Sequence, residues 1–138
     1  MPDQTATVLC VDDEEPALFV RKLLLESAGY RVLTATSGKE GLRIFRSEPV
    51  DLVLLDYWMS GMNGLTAARE IKQINQKIPI IVLSAFNTIL DESVGTVDRW
   101  IRKGEEDPPH LLAVIGQMLN RSRAVSASAS APRDEVAD

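Results

Sequence analysis

An apolar segment near the middle of the chain leads into an aspartate and then into a glycine-containing loop: residues 51–64 read DLVLLDYWMSGMNG. Residues 52–55 are all Val or Leu. A run that is apolar throughout is typical of a central strand in a parallel sheet, because such a strand is buried on both faces. The segment therefore predicts a buried parallel strand at residues 51–55, with Asp56 directly after its last apolar residue.

Short apolar runs on either side of this segment predict further strands, which alternate with helices. The four runs lie at residues 7–11, 31–35, 79–83 and 97–102. Between them, Pro16 fits the first turn of a helix, Ser37 can cap a second helix, and a third helix follows over about residues 65–75. Strands that alternate with helices predict an α/β fold, in which helices cover both faces of a parallel sheet.

The pattern is weaker toward the end of the chain. Residues 87–97 have helical spacing but contain a glycine and several β-branched residues, so the fourth helix is predicted to be weak or shortened. Asp107 predicts the cap of a last helix that ends near residue 119. We expect one domain at residues 1–121, followed by a disordered Ser- and Ala-rich tail at residues 122–138.

Composition limits the classes of function. The chain has 138 residues, of which 45% are hydrophobic and 25% charged, and its net charge is −5. No apolar run approaches the ~20 residues needed to cross a bilayer, and the N-terminus lacks the pattern of a signal peptide. The single cysteine, Cys10, excludes an intramolecular disulfide and a cysteine-built zinc site. We therefore expect a cytoplasmic protein that does not bind a membrane. Because the basic residues are scattered, we also expect that it does not bind nucleic acid.

Polar side chains follow the predicted strands at one edge of the sheet. They are Asp12, Asp13, Asp56, Ser84 and Lys103. Open parallel sheets bind ligands at this edge, outside the carboxyl ends of the strands. Three crowded carboxylates repel one another unless a cation lies among them, and oxygen ligands without His or Cys favour magnesium. An aspartate there can also act as a nucleophile toward phosphorus, with an ammonium and a hydroxyl to stabilise the phosphoryl oxygens.

Four motifs together resemble the receiver domain of two-component response regulators. They are VLCVDDEE at 8–15, DLVLLDYWMSGMNG at 51–64, VLSA at 82–85 and WIRKG at 100–104, and the resemblance covers residues 7–120. It implies a flavodoxin-like, doubly wound, five-stranded parallel sheet in the order 2-1-3-4-5. It also implies a stand-alone, chemotaxis-regulator-like receiver, in which Asp56 accepts a phosphoryl group from a histidine kinase or phosphotransfer protein. Such a chain signals to a downstream protein and is not an enzyme, although it assists its own phosphotransfer and slow autodephosphorylation.

The resemblance also implies a role for each site residue. The Mg²⁺ ligands would be Asp12, Asp13, Asp56 and the backbone carbonyl of Trp58. Ser84 and Lys103 would hold the phosphoryl oxygens, and Ser84 with Trp100 would form the switch. Trp58 and Phe86 fall where they would flank the approach of water. We expect these two large apolar side chains to shield the phosphorylated aspartate and to slow its hydrolysis.

The sequence departs from the family pattern at several positions, including the acidic loop at residues 104–109. Ser60 replaces a proline that is typical of the loop after the acceptor. Gly104 replaces the proline after the lysine, where the family usually has a cis peptide bond. A cis bond at a non-proline residue costs about 2.5–4 kcal/mol, so the bond between Lys103 and Gly104 is either trans or strained. The stretch between Ser84 and Lys103 is a few residues shorter than in most relatives. Because this stretch normally helps to form the output face, the sequence does not determine which face this chain uses for output.

Alternative interpretations remain. A pseudo-receiver would keep the fold as a binding module that does not depend on phosphorylation. An aspartate-nucleophile phosphatase would usually carry a second carboxylate two residues beyond the nucleophile, where this chain has Trp58. Taken singly, an aspartate after a strand is often a turn former and a lone lysine is usually a solvated charge. Each of these simpler interpretations explains one residue, and none explains the shared edge.

Overall fold

The computed structural model describes residues 5–85, 95–104 and 107–130, with side chains as far as residue 122. The helices and strands in these residues are β1 Thr7–Val11, α1 Glu15–Ser27, β2 Arg31–Ala35, α2 Gly38–Ser47, β3 Leu52–Asp56, α3 Gly64–Ile74, β4 Ile80–Ser84, β5 Arg99–Arg102 and α4 Pro108–Ser130. All strand pairs are parallel, and the sheet has the order β2-β1-β3-β4-β5. This confirms the predicted flavodoxin-like, doubly wound α/β fold and its strand order.

Helices cover the sheet on both faces. The strands β1, β3 and β4 are buried along their whole length. Alternate residues of a strand face opposite sides of the sheet. Leu54 therefore packs in one core with residues of α1 and α4, whereas Val53 and Leu55 pack in a second core with residues of α2 and α3. Two packed cores hold the carboxyl ends of the central strands in fixed relative positions.

Caps and a proline fix where the helices begin. Ser37 Oγ accepts a hydrogen bond from the backbone N–H of Glu40 at 3.1 Å, which confirms the predicted cap of α2. Asn63 caps α3 in the same way, through the N–H of Thr66 at 2.9 Å. Pro16 lies in the first turn of α1. Such caps satisfy backbone donors that have no partner within the helix.

Some strand boundaries differ from the prediction. The strands β3 and β4 each begin and end one residue later, so that Asp56 and Ser84 are the last residues of their strands. The strand β5 begins at Arg99, which is also later than predicted. The reason is the hydrogen-bonded ladder, which pairs Asp56 with Leu83 and continues past the apolar residues.

The last helix is longer than predicted. The helix α4 continues through Ser130, so residues 122–130, which we expected to be disordered, extend it. Alanine favours the helix, and lengthening an existing helix avoids the cost of nucleation. The rest of the expected tail, at 131–138, lies outside the described residues, as does most of the weak helix predicted at 87–97. The domain boundary at residue 121 stays a prediction. No helix in the described part of the chain is long and apolar enough to cross a membrane.

Candidate functional site

Three carboxylates meet at the carboxyl edge of the sheet. Asp12 follows β1, and Asp56 ends β3. Asp12, Asp13 and Asp56 each offer an oxygen that lies within 4.8 Å of the oxygens of the other two. Asp12 is 0% exposed and Asp56 is 2% exposed, whereas Asp13 is half-buried. Carboxylates buried this deeply need compensating charge or hydrogen bonds.

The compensation for Asp12 comes from α1. Asp12 Oδ2 accepts a hydrogen bond from Arg21 Nη1 at 2.7 Å, and Asp12 Oδ1 accepts one from the backbone N–H of Glu14 at 2.9 Å. The Arg21 side chain is 9% exposed, so the ion pair is buried. Arg21 lies between Leu18 and Leu25 on the buried face of α1. Sequence reasoning missed this residue, although an arginine at the 3- and 4-residue spacing of a buried apolar stripe was the available signal.

Asp13 is held by the loop that follows β3. Its Oδ2 atom lies 3.0 Å from the backbone N–H of Ser60, which donates to it, and 3.4 Å from the Ser60 hydroxyl. A proline at this position has no N–H to donate. The departure from the family pattern at Ser60 therefore adds a backbone hydrogen bond to a site carboxylate.

Asp56 lies against the ammonium group of Lys103. The Lys103 Nζ atom is 2.5 Å from Asp56 Oδ1. Within the described residues this Oδ1 atom accepts no hydrogen bond of normal geometry, so the contact is an ion pair. Burial raises the pKa of Asp56, and the contact with Lys103 opposes that effect. Burial lowers the pKa of Lys103, but the contact with Asp56 and the negative charge of Asp12 outweigh burial and raise it. Lys103 thus stays protonated beside the carboxylate.

Ser84 is brought to the same edge by the strand ladder. It follows Leu83, the residue that pairs with Asp56, and it is 3% exposed. Its backbone carbonyl accepts a hydrogen bond from the N–H of Lys103 at 2.7 Å, which fixes the start of the loop after β5. The described residues contain no cis peptide bond, and Gly104 has a φ of 95°. The bond between Lys103 and Gly104 is therefore trans, in a backbone conformation that glycine adopts and proline cannot.

A row of aromatic rings adjoins the site. The rings of Tyr57 and Trp58 meet edge to face with centroids 5.3 Å apart, and the rings of Tyr57 and Trp100 are 5.9 Å apart. Trp58 is 57% exposed, whereas Trp100 is half-buried against one of the two cores. Phe86, the other predicted shielding residue, lies outside the described residues. The row connects the loop after Asp56 with β5.

The donor set fits a divalent cation that prefers oxygen ligands. The carboxylates of Asp12, Asp13 and Asp56 supply only oxygen atoms, and Asp56 Oδ1 is buried without a hydrogen bond within the described part of the chain. Magnesium is commonly held by one or two carboxylates together with water and phosphate oxygens. The cluster, which includes the buried Asp56 carboxylate, therefore has the chemistry of a magnesium site.

Comparison with known proteins identifies the family. A sequence model of the response regulator receiver domain matches residues 8–96. This match covers more than half of the 138 residues. The chain therefore belongs to the response regulator receiver family, which confirms the resemblance found in its motifs.

Two characterised relatives contain a similar segment within a longer chain. The transcriptional regulatory protein GlrR of Escherichia coli (strain K12) is 41% identical over 96 residues, which are 70% of this chain and 22% of GlrR. The autoinducer 1 sensor kinase/phosphatase LuxN of Vibrio harveyi is 32% identical over 128 residues, which are 91% of this chain and 15% of LuxN. The chain thus spans less than a quarter of the length of either relative.

Solved receiver structures match over nearly their whole length. A response regulator receiver domain protein from Clostridium thermocellum is 33% identical with a TM-score of 0.79, over 87% of this chain and 98% of that one. The response regulator TrrA from Thermotoga maritima, solved in complex with Mg²⁺ and BeF, is 33% identical with a TM-score of 0.75, over 83% and 99% of the two chains. These similarities agree with the family and the fold.

Proposed function

We propose that Asp56 accepts a phosphoryl group from a phosphohistidine of a histidine kinase or phosphotransfer protein, and that the chain then signals through contact with a downstream protein. The observation that carries this proposal is a buried Asp56 carboxylate, 2% exposed and 2.5 Å from the Lys103 ammonium, beside two further carboxylates. A carboxylate in such surroundings has a nucleophilic oxygen and a positive charge nearby to stabilise the transferred group.

The transfer is a single displacement at phosphorus. A carboxylate oxygen of Asp56 forms the new P–O bond, the P–N bond to the donor histidine breaks, and its electron pair returns to the imidazole nitrogen. Lys103 stabilises the negative charge on the phosphoryl oxygens, and the Ser84 hydroxyl donates a hydrogen bond to one of them. The product is an aspartyl phosphate. The contact with Lys103 favours the ionised form of Asp56 that the attack requires.

Magnesium is the cofactor of the proposed reaction. Asp12, Asp13, Asp56 and the backbone carbonyl of Trp58 would hold it. A bound Mg²⁺ supplies positive charge that offsets the charge of the phosphoryl oxygens. Ser60 supports the site from the protein side, because its N–H keeps the Asp13 carboxylate oriented.

The proposed response to phosphorylation involves Ser84 and Trp100. Movement of the Ser84 hydroxyl toward the phosphoryl group would free space into which Trp100 can turn. The contact between the rings of Trp100 and Tyr57 supports this role, because Tyr57 directly follows the acceptor aspartate. Shielding of the phosphorylated aspartate by Trp58 and Phe86 stays a prediction.

The exposed face of α1 is the proposed docking surface for the phosphodonor. Phe19, Val20 and Leu23 are 59%, 63% and 50% exposed, and their spacing puts them on one face of the helix. Exposed apolar groups that lie side by side are typical of a protein–protein contact. The helix begins three residues after Asp12, so its N-terminal end lies close to the acceptor site.

The downstream partner is proposed to be a protein. GlrR is a transcriptional regulatory protein, but this chain spans only 22% of it, so the remainder of GlrR says nothing about the output of this chain. That the domain itself binds no nucleic acid stays a prediction, which rests on its net charge of −5 and its scattered basic residues.

Incubation with acetyl phosphate and Mg²⁺ tests the proposal. We expect a mass gain of one phosphate that is stable in acid and lost in base. Asp56→Asn abolishes the gain, and Asp51→Asn, a matched change at the opposite edge of the sheet, keeps it. No gain in the parent chain with any small phosphodonor, or with a phosphorylated histidine kinase, would favour the pseudo-receiver.

A further inference from the structure

Arg21 is a buried cation within the site, and the proposed function does not use it. Its Nη1 atom is 2.7 Å from Asp12 Oδ2, and the two side chains are 9% and 0% exposed. Its neighbours on the buried face of α1 are Leu18 and Leu25. An apolar residue fits such a stripe without the desolvation cost of a charge, so packing does not explain an arginine here.

The charge balance of the cluster depends on this residue. Asp12, Asp13 and Asp56 together carry three negative charges when they are ionised, and Arg21 and Lys103 bring two positive charges into contact with them. Arg21 thus offsets a large share of the repulsion among the carboxylates before any metal binds. It does so from a helix, without a loop movement.

The same contact affects the use of Asp12 as a ligand. Both oxygens of Asp12 already have partners, because Oδ1 accepts from the N–H of Glu14 and Oδ2 accepts from Arg21. A divalent cation held by Asp12 must share this carboxylate with the guanidinium group. It must also bind close to the buried positive charge of Arg21, where like charges repel more strongly than they do in water.

We propose that Arg21 is a built-in counter-cation of the carboxylate cluster, which stabilises the receiver without metal and lowers its affinity for Mg²⁺. Arg21 is a positioning residue, since it acts through Asp12. The inference rests on the proposed function only in taking this cluster as the magnesium site. It deepens that function by naming the residue that sets the magnesium concentration at which the receiver becomes competent.

Replacing the arginine with a neutral residue has two expected effects. Arg21→Met keeps an unbranched side chain that suits the apolar stripe and the helix. Without the positive charge, the dissociation constant for Mg²⁺ falls by at least about tenfold. In chelator the variant melts below the parent, because Asp12 is left buried without its partner. Magnesium then raises its melting temperature by more than it raises that of the parent.

The test is calorimetric titration of the full chain with Mg²⁺ alone, together with melting curves in chelator and in Mg²⁺. Arg21→Lys keeps the charge and is expected to bind Mg²⁺ about as the parent does. Arg31→Met removes an arginine from an exposed ion pair with Glu48, at 3.8 Å, and is expected to change nothing. If Arg21→Met does not fold in chelator, Arg21→Gln, which keeps a donor for Asp12 but not the charge, is titrated in its place.

The outcomes separate this inference from the proposed function, because no phosphodonor is present. Tighter Mg²⁺ binding by the neutral variants, and not by Arg21→Lys, supports the inference even if Asp56 is never phosphorylated. An unchanged dissociation constant in the neutral variants overturns it, and leaves phosphorylation of Asp56 unaffected. Absence of Mg²⁺ binding in the parent and in the neutral variants also overturns it.

Discussion

Gly64 lies where the first turn of α3 approaches the end of β3, and it admits no side chain. A Cβ atom on Gly64 would lie 2.6 Å from the carbonyl oxygen of Asp56 and 2.9 Å from Tyr57 Cα. Both are backbone atoms, which cannot rotate away. The Gly64 N–H also donates to the Tyr57 carbonyl at 2.8 Å, so the helix cannot withdraw without losing that bond. Gly64→Ala must therefore push either α3 or the Asp56 backbone out of place.

The cost follows from the size of the overlap. Non-bonded carbon atoms pack best at about 3.5–4.0 Å, so the new methyl group would be at least about 0.6 Å too near Tyr57 Cα, and it would lie closer still to the Asp56 oxygen. Overpacking of this kind typically costs about 1–3 kcal/mol. For a domain of this size we expect the melting temperature to fall by about 3–12 °C. Because the Asp56 backbone is one of the groups displaced, labelling by acetyl phosphate is also expected to slow.

A second glycine provides the control. Gly116 lies inside α4, and a Cβ there meets nothing within 4 Å. Gly116→Ala should stabilise the chain by about 0.5–1 kcal/mol, because alanine is the better helix former. The test compares the melting temperatures and the acetyl phosphate labelling rates of Gly64→Ala and Gly116→Ala with those of the parent chain. If Gly64→Ala melts at or above the parent and is labelled at the same rate, the close approach of α3 to Asp56 does not constrain the site.

Three further outcomes are expected. Trp58→Asn should shorten the half-life of the phosphorylated chain several-fold, measured as loss of label after removal of donor, since an amide oxygen can accept a hydrogen bond from the attacking water and an indole offers no acceptor; an equal half-life would leave Trp58 without a shielding role. In chelator, Asp56→Asn should melt above the parent at neutral pH. Burial raises the pKa of Asp56 above its ordinary value of 3.8. The protonated carboxyl group therefore stabilises the fold fully at pH values below 3.8, and this stabilisation is lost as the pH rises through the pKa that Asp56 has in the folded chain. The difference should shrink in acid, and a difference independent of pH would contradict this. Leu23→Asp should slow labelling by a phosphorylated histidine kinase that labels the parent, while labelling by acetyl phosphate is unchanged; equal slowing with both donors would exclude a docking role.

The alternation of strands and helices could be predicted because it depends on apolar periodicity. Strand β1 was predicted to the residue from five apolar or β-branched positions. The ends of β3 and β4 could not be predicted from apolar periodicity, because the strand ladder continues past the apolar runs. It pairs Asp56 with Leu83 and Ser84 with Arg102. The length of α4 was missed because its last residues carry no apolar stripe, and helix propagation alone extends it to Ser130.

Some residues of the site could likewise be predicted from the sequence, and others could not. Asp56 and Lys103 were predicted to meet because parallel strands end at one edge, and they are 2.5 Å apart. Arg21 was missed because a single charge on a helix is usually solvated. Its spacing from Leu18 and Leu25 indicates the buried face, and the packing of α1 on the sheet shows that it is turned inward. The hydrogen bond from the Ser60 N–H to Asp13 was also missed, because the side chains of a loop do not determine its backbone conformation.

Direct mapping of the phosphorylated residue tests the central claim. The chain is labelled with acetyl phosphate and Mg²⁺, and the acyl phosphate is reduced with borohydride, which converts a phosphorylated aspartate to homoserine. Peptide mass spectrometry then locates the homoserine. We predict homoserine at position 56 alone, with Asp12 and Asp13 unchanged. Homoserine at either of those two positions, or a labelled chain in which Asp56 is intact, would contradict the assignment of Asp56 as the acceptor.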